Sequence, residues 1–218
     1  MYLTVRIFQE STVLHMNITK YTHACLVLEK DNQSLVIDPG EFSADFSSPT
    51  NVVGVVITHD HMDHLDTSKL NEIITKNPDA LIYGHQDVVS QIKDLPTQTV
   101  DTNESIHVGD FTLKFVGGEH AIIHGEMGKG ANLGVIVDDE FYYPGDSFSL
   151  PGQDIDTLAV PIAGPWMKLG EAIDFIKTVK PKNAFPTHDA IHSDGGKKMA
   201  DDMVDGVAKS VGTDYKRI

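Results

Sequence analysis

The chain has 218 residues, and its 17 basic and 32 acidic side chains give a formal net charge of −15. That acidic excess disfavours nucleic acid and anionic membrane as partners, since both are bound chiefly through Lys and Arg. The length suits one large domain spanning 1–218, able to bury about 70% of its unfolded surface without a disulfide or metal to staple it.

A single cysteine, Cys25, excludes an internal disulfide and the multi-cysteine zinc frameworks. Flanked by Ala24 and by Leu26, Val27 and Leu28, it reads as a structural thiol in a core strand. The N-terminus lacks the layout of a signal peptide, and no apolar run approaches the roughly 18 residues of a membrane span. The expectation is a cytoplasmic protein acting on a small molecule, with homo-oligomerisation left open.

Residues 1–15 alternate weakly and form either an edge strand or an extension without a functional role, since Met16-Asn17-Ile18-Thr19-Lys20 also reads as a natural beginning. Strands are expected at Ala24–Leu28 and Ser34–Ile37, joined in a hairpin across Lys30-Asp31-Asn32-Gln33. The second ends in Asp38-Pro39-Gly40, where the carboxylate is either a turn former or a group that orients a ligand imidazole. The β-branched run Val52–Ile57 predicts a buried strand. Amphipathic helices follow at Thr67–Lys76 and Gln86–Leu95, stopped by Pro78 and Pro96, with a short strand at Leu81–Tyr83 between them.

The second half is richer in strands: Ser105–Val108, Phe111–Val116, Leu133–Val137, Glu140–Tyr143, Leu158–Pro161 and, as the final strand, Asn183–His188. Helices are expected at Glu171–Val179 and Gly196–Lys209, followed by an uninformative tail. Such a pattern fits an α/β domain in which two sheets pack together and helices cover the outside.

The chemistry concentrates in Thr58-His59-Asp60-His61-Met62-Asp63-His64, directly after the Val52–Ile57 run. In an extended segment residues two apart point the same way, so His59 and His61 can share one ion. Asp63 and His64 diverge, which suits a second ion, and paired metals about 3.5–4 Å apart recur in hydrolases. The competing reading is a chance grouping of surface histidines. Against it, His120, Asp146 and His188 also stand where predicted strands end, the positions from which a sheet scaffold usually carries chemistry.

These elements together resemble the metallo-β-lactamase superfamily, with Asp38, the His59–His64 cluster, His120, Asp146 and His188 falling in the family's order over nearly the whole chain. The resemblance implies a four-layer αββα sandwich and a dinuclear site. It would give His59, His61 and His120 to one metal, Asp63, His64 and His188 to the other, and Asp146 to both, with Asp38 and less firmly His23 supporting the ligands from behind. An imidazole and carboxylate shell without thiolate fits Zn²⁺, and also Mn²⁺ or Fe. Such ions would activate a water as hydroxide, with Asp63 orienting it and accepting its proton.

Within the superfamily, the absence of Glu at position 61 and of Cys at position 146 sets aside the di-iron oxygen-reducing proteins and the true β-lactamases. The short chain argues against a glyoxalase II, and the charge against the nucleases. Thr22–Glu29 followed by Leu35–Pro39, and His120 after Phe115-Val116, resemble the compact branch of L-ascorbate-6-phosphate lactonase and the N-acylphosphatidylethanolamine phospholipase D-like proteins.

The expected activity is therefore hydrolysis of a small ester, lactone or related substrate. A phosphodiesterase using the same ligands is the alternative, with Lys129 and Lys168 the basic candidates for holding a phosphate. A metal-dependent sensor without turnover is the third reading. His124 is a candidate substrate contact or acid, while His15, His85, His107 and His192 are taken as residues without chemistry. Trp166, between Pro165 and Met167, reads as core packing or an apolar pocket wall.

Overall fold

A computed structural model describes residues 16–127 and 130–218; the predicted edge strand within 1–15, His15 and Lys129 lie outside them. The first sheet contains β1 (Asn17–Lys20), β2 (Leu26–Lys30), β3 (Gln33–Ile37), β4 (Val52–Ile57), β5 (Leu81–Gly84) and β6 (Thr97–Thr99), in that spatial order. The second sheet contains β7 (Ser105–Val108), β8 (Phe111–Gly117), β9 (Leu133–Val137), β10 (Phe141–Tyr143), β11 (Thr157–Pro161), β12 (Asn183–Thr187) and β13 (Asp214–Tyr215), ordered from β13 at one edge to β7 at the other.

Period-2 alternation assigns the faces. Leu26, Leu28, Leu35 and Ile37 of the first sheet meet Phe111, Leu113, Phe115, Val135, Phe141 and Tyr143 of the second in one shared core. The alternate residues Val27, Val36, Val55 and Ile57 face outward to Leu70 and Ile73 of α1 (Thr67–Lys76) and Val88 of α2 (Gln86–Gln91). On the far side Ile136, Tyr142, Leu158 and Val160 pack on α3 (Leu169–Val179) and α4 (Asp194–Ala208). Both faces of each sheet are covered, which explains why the central strands read as unbroken apolar runs. The result is the expected αββα sandwich.

Four local expectations are corrected. The helix predicted over Gln86–Leu95 stops at Gln91, because Ile92 turns extended to bury its side chain and Asp94 takes a positive φ of 60° ahead of Pro96, which disfavours helix in the residue before it. Thr97–Thr99 forms an edge strand, too short and polar to stand out. Asn183–Thr187 is not the last strand, since Asp214–Tyr215 pairs with it in parallel. The tail is therefore structural: Arg217 donates to Asp201 at 2.8 Å and also to Asp189.

Strand direction positions the site. β3 and β4 are parallel. In the second sheet β10, β11 and β12 are parallel, and two successive antiparallel steps through β9 give β8 the same direction. Within each sheet, all the strands from which candidate residues emerge thus end at one edge. Two backbone hydrogen bonds join these edges between sheets, Leu133 N–H to Thr58 O and His188 N–H to His23 O, both 2.9 Å.

Candidate metal centre

Three tight turns set the geometry. Asp38 leaves β3 with φ 48°, and Gly40 follows where an added Cβ would lie 1.9 Å from the Asp63 carbonyl oxygen; only glycine permits that approach. After β10, Gly145 takes φ 63° against Asn132 and Thr58. Buried Asn132 accepts the Asp146 N–H at 2.9 Å and donates to Pro144 O at 2.8 Å, fixing the Asp146 turn. His188 leaves β12 with φ 57°.

The structure brings the predicted side chains into two groups, within each of which one candidate donor atom per residue lies within 4.8 Å of the others. His59, His61, His120 and Asp146 form one; His23, Asp63, His64 and His188 form the other. Asp146 stands between them. Its Oδ2 is 3.4 Å from His120 Nε2 and 3.0 Å from His188 Nε2, while Oδ1 is 3.2 Å from His64 Nε2.

Each imidazole except His61 is oriented through its other nitrogen. His120 donates from Nδ1 to Ala121 O at 2.5 Å, and His188 donates from Nδ1 to Ala163 O at 2.7 Å. His64 donates from Nδ1 to Asp38 Oδ2, also at 2.7 Å. Thr58 uses its hydroxyl proton on Asp38 Oδ2 at 2.7 Å, so its oxygen is the acceptor for His59 Nδ1 at 3.0 Å. One buried carboxylate therefore sets the tautomer of an imidazole in each group, directly for His64 and through Thr58 for His59.

The inward atoms test whether cations fit. His64 Nε2, His120 Nε2, His188 Nε2 and Asp146 Oδ1 are buried and lack a hydrogen-bond partner. Buried polar atoms without partners are costly, and four of them converging is the arrangement of a metal shell whose outer nitrogens are held by carbonyl or carboxylate acceptors. His23 differs. Its Nδ1 accepts the Ala190 N–H at 3.2 Å, so Nε2 carries the proton given to Asp63 Oδ2 at 2.9 Å. It has no inward lone pair, and although distance groups it with the candidate ligands, it braces Asp63.

The same packing sets the ionisation. Burial drives His59 well below the ordinary imidazole range, helped by His64. Burial also works against a charge on His64 and His188, but Asp146, with Asp38 at His64 and Asp63 at His188, outweighs it and raises both, His188 to about 9. Asp146 is buried, yet His64 and His188 hold it well below the usual carboxylate range. Protons on these imidazoles thus balance the carboxylates when no cation does.

Of the other singled-out residues, His124 is exposed and belongs to neither group, its Nδ1 accepting from Glu126 N–H at 3.3 Å. Lys168 is exposed just before α3. His85 caps α2 by accepting the Asp87 N–H, and His107 pairs with Thr112. Cys25 is fully buried, which pushes its thiol up. Sequence reasoning missed Thr58, Asn132 and the polar use of Trp166, whose indole N–H donates to Asp146 Oδ2 at 2.7 Å. The available signal was that a buried Trp N–H usually finds an acceptor. Among the described residues no helix is long and apolar enough to cross a membrane.

A family profile described as beta-lactamase superfamily domain matches residues 17–188. A Mycobacterium tuberculosis protein is 36% identical over 181 residues, covering 81% of this chain and 85% of its own length. A UPF0173 metal-dependent hydrolase of Pyrobaculum arsenaticum is 28% identical, covering 79% of this chain and 84% of its own. In structure, Igni18, a metallo hydrolase of Ignicoccus hospitalis, superposes with a TM-score of 0.71 at 19% identity over 93% of this chain and 94% of its own, a likeness of fold.

Proposed function

We propose that this chain, which belongs to the beta-lactamase superfamily, is a metal-dependent hydrolase that uses a dinuclear site to cleave a small ester, lactone or related substrate. The observation that carries the reading is the pair of His/Asp groups meeting at Asp146, with buried nitrogens aimed inward and unpartnered. His59, His61 and His120 would hold one ion, Asp63, His64 and His188 the other, and Asp146 both. The shell suits Zn²⁺ first, with Mn²⁺ or Fe as alternatives.

Bound there, the ions supply Lewis acidity, making a water more acidic and polarising a substrate oxygen. The protein's own groups do the rest. Asp63 loses solvent on burial, but the His188 imidazole 3.2 Å away and the His23 N–H at 2.9 Å keep it ionised. It can therefore accept a hydrogen bond from the attacking water and orient it. Asp38 and Thr58 hold a proton on Nδ1 of His64 and His59, so that Nε2 is the nitrogen left for a cation to take. His124 carries any neutral-form proton on Nε2, since Nδ1 accepts from the backbone, and is the candidate donor to a leaving group.

An ester or lactone is favoured over a phosphodiester by the apolar residues that neighbour the candidate ligands in sequence. Phe42, Met62, Ile122, Leu150 and Ile191 are large exposed apolar residues, each within four positions of Asp38, Asp63, His120, Asp146 or His188. Phe42 lies edge-on to His23 at 5.1 Å. Such a rim suits an uncharged substrate with an apolar body. The test is metal analysis of protein purified without added ions, together with a screen of lactones and aryl esters beside bis-aryl phosphodiesters. Two bound metals with turnover of the first set are expected. Turnover of the phosphodiesters alone replaces the substrate assignment, tight metal binding without any turnover favours a sensor, and full activity in metal-free protein overturns the mechanism.

A further inference from the structure

Trp166 is the only tryptophan in the chain, and it lies in the turn that leaves β11. Its ring is buried, tilted against Phe148 at 5.3 Å and edge-on to both His120 and His188 at 6.1 Å. Packing alone would leave the indole N–H without a partner. Instead it donates to Asp146 Oδ2 at 2.7 Å in a buried hydrogen bond. That oxygen is the one 3.0 Å from His188 Nε2 and 3.4 Å from His120 Nε2, so it faces both groups. Gly164 makes room for the indole: it has φ 154°, and an added Cβ would stand 2.7 Å from Trp166 Nε1.

We infer that Trp166 is the positioning residue for the carboxylate shared by the two metals, its indole N–H fixing which Asp146 oxygen faces both sites. The inference rests on the dinuclear assignment above. The indole is rigid, braced by Phe148, and donates one hydrogen bond in one direction, so it restricts rotation of the carboxylate about its Cβ–Cγ bond. Asp146 would then meet incoming cations already oriented, and removing the donor should weaken metal binding about 10- to 100-fold, as loss of hydrogen-bonding partners behind metal ligands does elsewhere. A further consequence is optical: cation binding changes the charge on the acceptor of the sole indole, so its emission should report occupancy.

The test uses the full chain, stripped with chelator and titrated with Zn²⁺ while bound metal is counted by mass spectrometry and tryptophan emission is recorded. Emission should change as the sites fill and then plateau. Trp166→Phe, which keeps an aromatic ring but not the donor, should lose at least about tenfold in Zn²⁺ affinity by chelator competition. Gly164→Ala should lose affinity in the same direction with the indole still present but displaced. A residue that only packs would lower thermal stability and leave affinity unchanged. Zn²⁺ binding with unaltered emission, or wild-type affinity in Gly164→Ala or a folded Trp166→Phe, overturns the inference while leaving the dinuclear site standing. Failure of the wild type to bind Zn²⁺ overturns both. If Trp166→Phe does not fold, the wild-type titration and Gly164→Ala decide.

Discussion

Asp38→Asn is the substitution with the sharpest consequences, because it changes one oxygen to NH₂ with no change of shape. Asp38 is fully buried and accepts three hydrogen bonds: Thr58 N–H at 2.8 Å, Thr58 hydroxyl at 2.7 Å and His64 Nδ1–H at 2.7 Å. All three partners point protons at it, and an amide can accept through only one of its two ends. With its oxygen towards Thr58 hydroxyl and His64, the NH₂ opposes the Thr58 backbone N–H. In the other orientation the NH₂ meets His64 Nδ1, which must then become an acceptor and move its proton to Nε2, the atom that would face a metal.

Either way one buried donor is left unsatisfied or one ligand is lost. The stability cost is about 1–3 kcal/mol, the range for a buried polar group deprived of its partner. The metal cost is about 10- to 100-fold in affinity, falling mainly on the group containing His64. Chelator competition, urea unfolding and the nitrogen shifts of His64 measure the three effects. An Asp38→Asn protein that holds two metals at wild-type affinity, with His64 still protonated at Nδ1, would refute the tautomer argument.

Glycine substitutions should separate close approach from mere flexibility. Gly40→Ala would drive its methyl into the Asp63 backbone and abolish binding at the His64 group, whereas Gly206→Ala in α4, with nothing within 4 Å of the new Cβ, should stabilise by about 0.5–1 kcal/mol; comparable melting temperatures for the two would contradict this. Because Asp146 raises His64 and His188, the latter to about 9, both carry protons near pH 7 until a cation displaces them. Zn²⁺ uptake should therefore release protons and tighten as pH rises towards about 9, and calorimetry that is insensitive to buffer ionisation would exclude it. Arg217→Ala leaves Lys20, at 3.2 Å, as the remaining cation on Asp189, which is 1% exposed. The expected loss is about 1–2 kcal/mol in urea unfolding, less than for a fully enclosed pair because the guanidinium reaches solvent; an unchanged midpoint would mean the tail does not brace the His188 turn.

The candidate ligands were legible because they are chemically unusual and stand at strand exits. His59 to His64 follow an apolar β-branched run, and Asp38 and Asp146 sit in the breaker-rich sequences Asp38-Pro39-Gly40 and Pro144-Gly145-Asp146. Core strands were legible as short apolar, β-branched runs bounded by turn residues. What sequence could not supply is the set of partners that make the ligands usable. Ala163 and Ala121 contribute carbonyls, Thr58 a hydroxyl and Trp166 an indole N–H, and none of these residue types signals a metal site. His23 lies 167 positions from the Ala190 N–H that fixes its tautomer, so whether it ligates or braces is decided only by tertiary structure. Thr97–Thr99 and Asp214–Tyr215 escaped because edge strands of two or three residues carry too little pattern.

The directions of the strands decide which part of the rim is free to vary. The loop leaving β4 is tied to the start of β9, and the turn leaving β12 to the segment before β2, by backbone hydrogen bonds, so their candidate ligands cannot shift without moving strands. Among the described residues, the loop between β8 and β9 is strapped near its base, where Gly118 and Asn132 exchange backbone hydrogen bonds, His120 N–H donates to Gly130 O and Ala121 N–H donates to Asp146 O. Beyond that base, Ile122, His124 and Met127 are exposed, and Gly125 has nothing within 4 Å of an added Cβ. His120 is therefore held by the base, while Ile122, His124 and Met127 beyond it stand exposed. Substitutions at Ile122 and Met127 should change which substrate is taken while metal content stays at the wild-type level, and a loss of metal in such variants would show that tip and base are coupled after all.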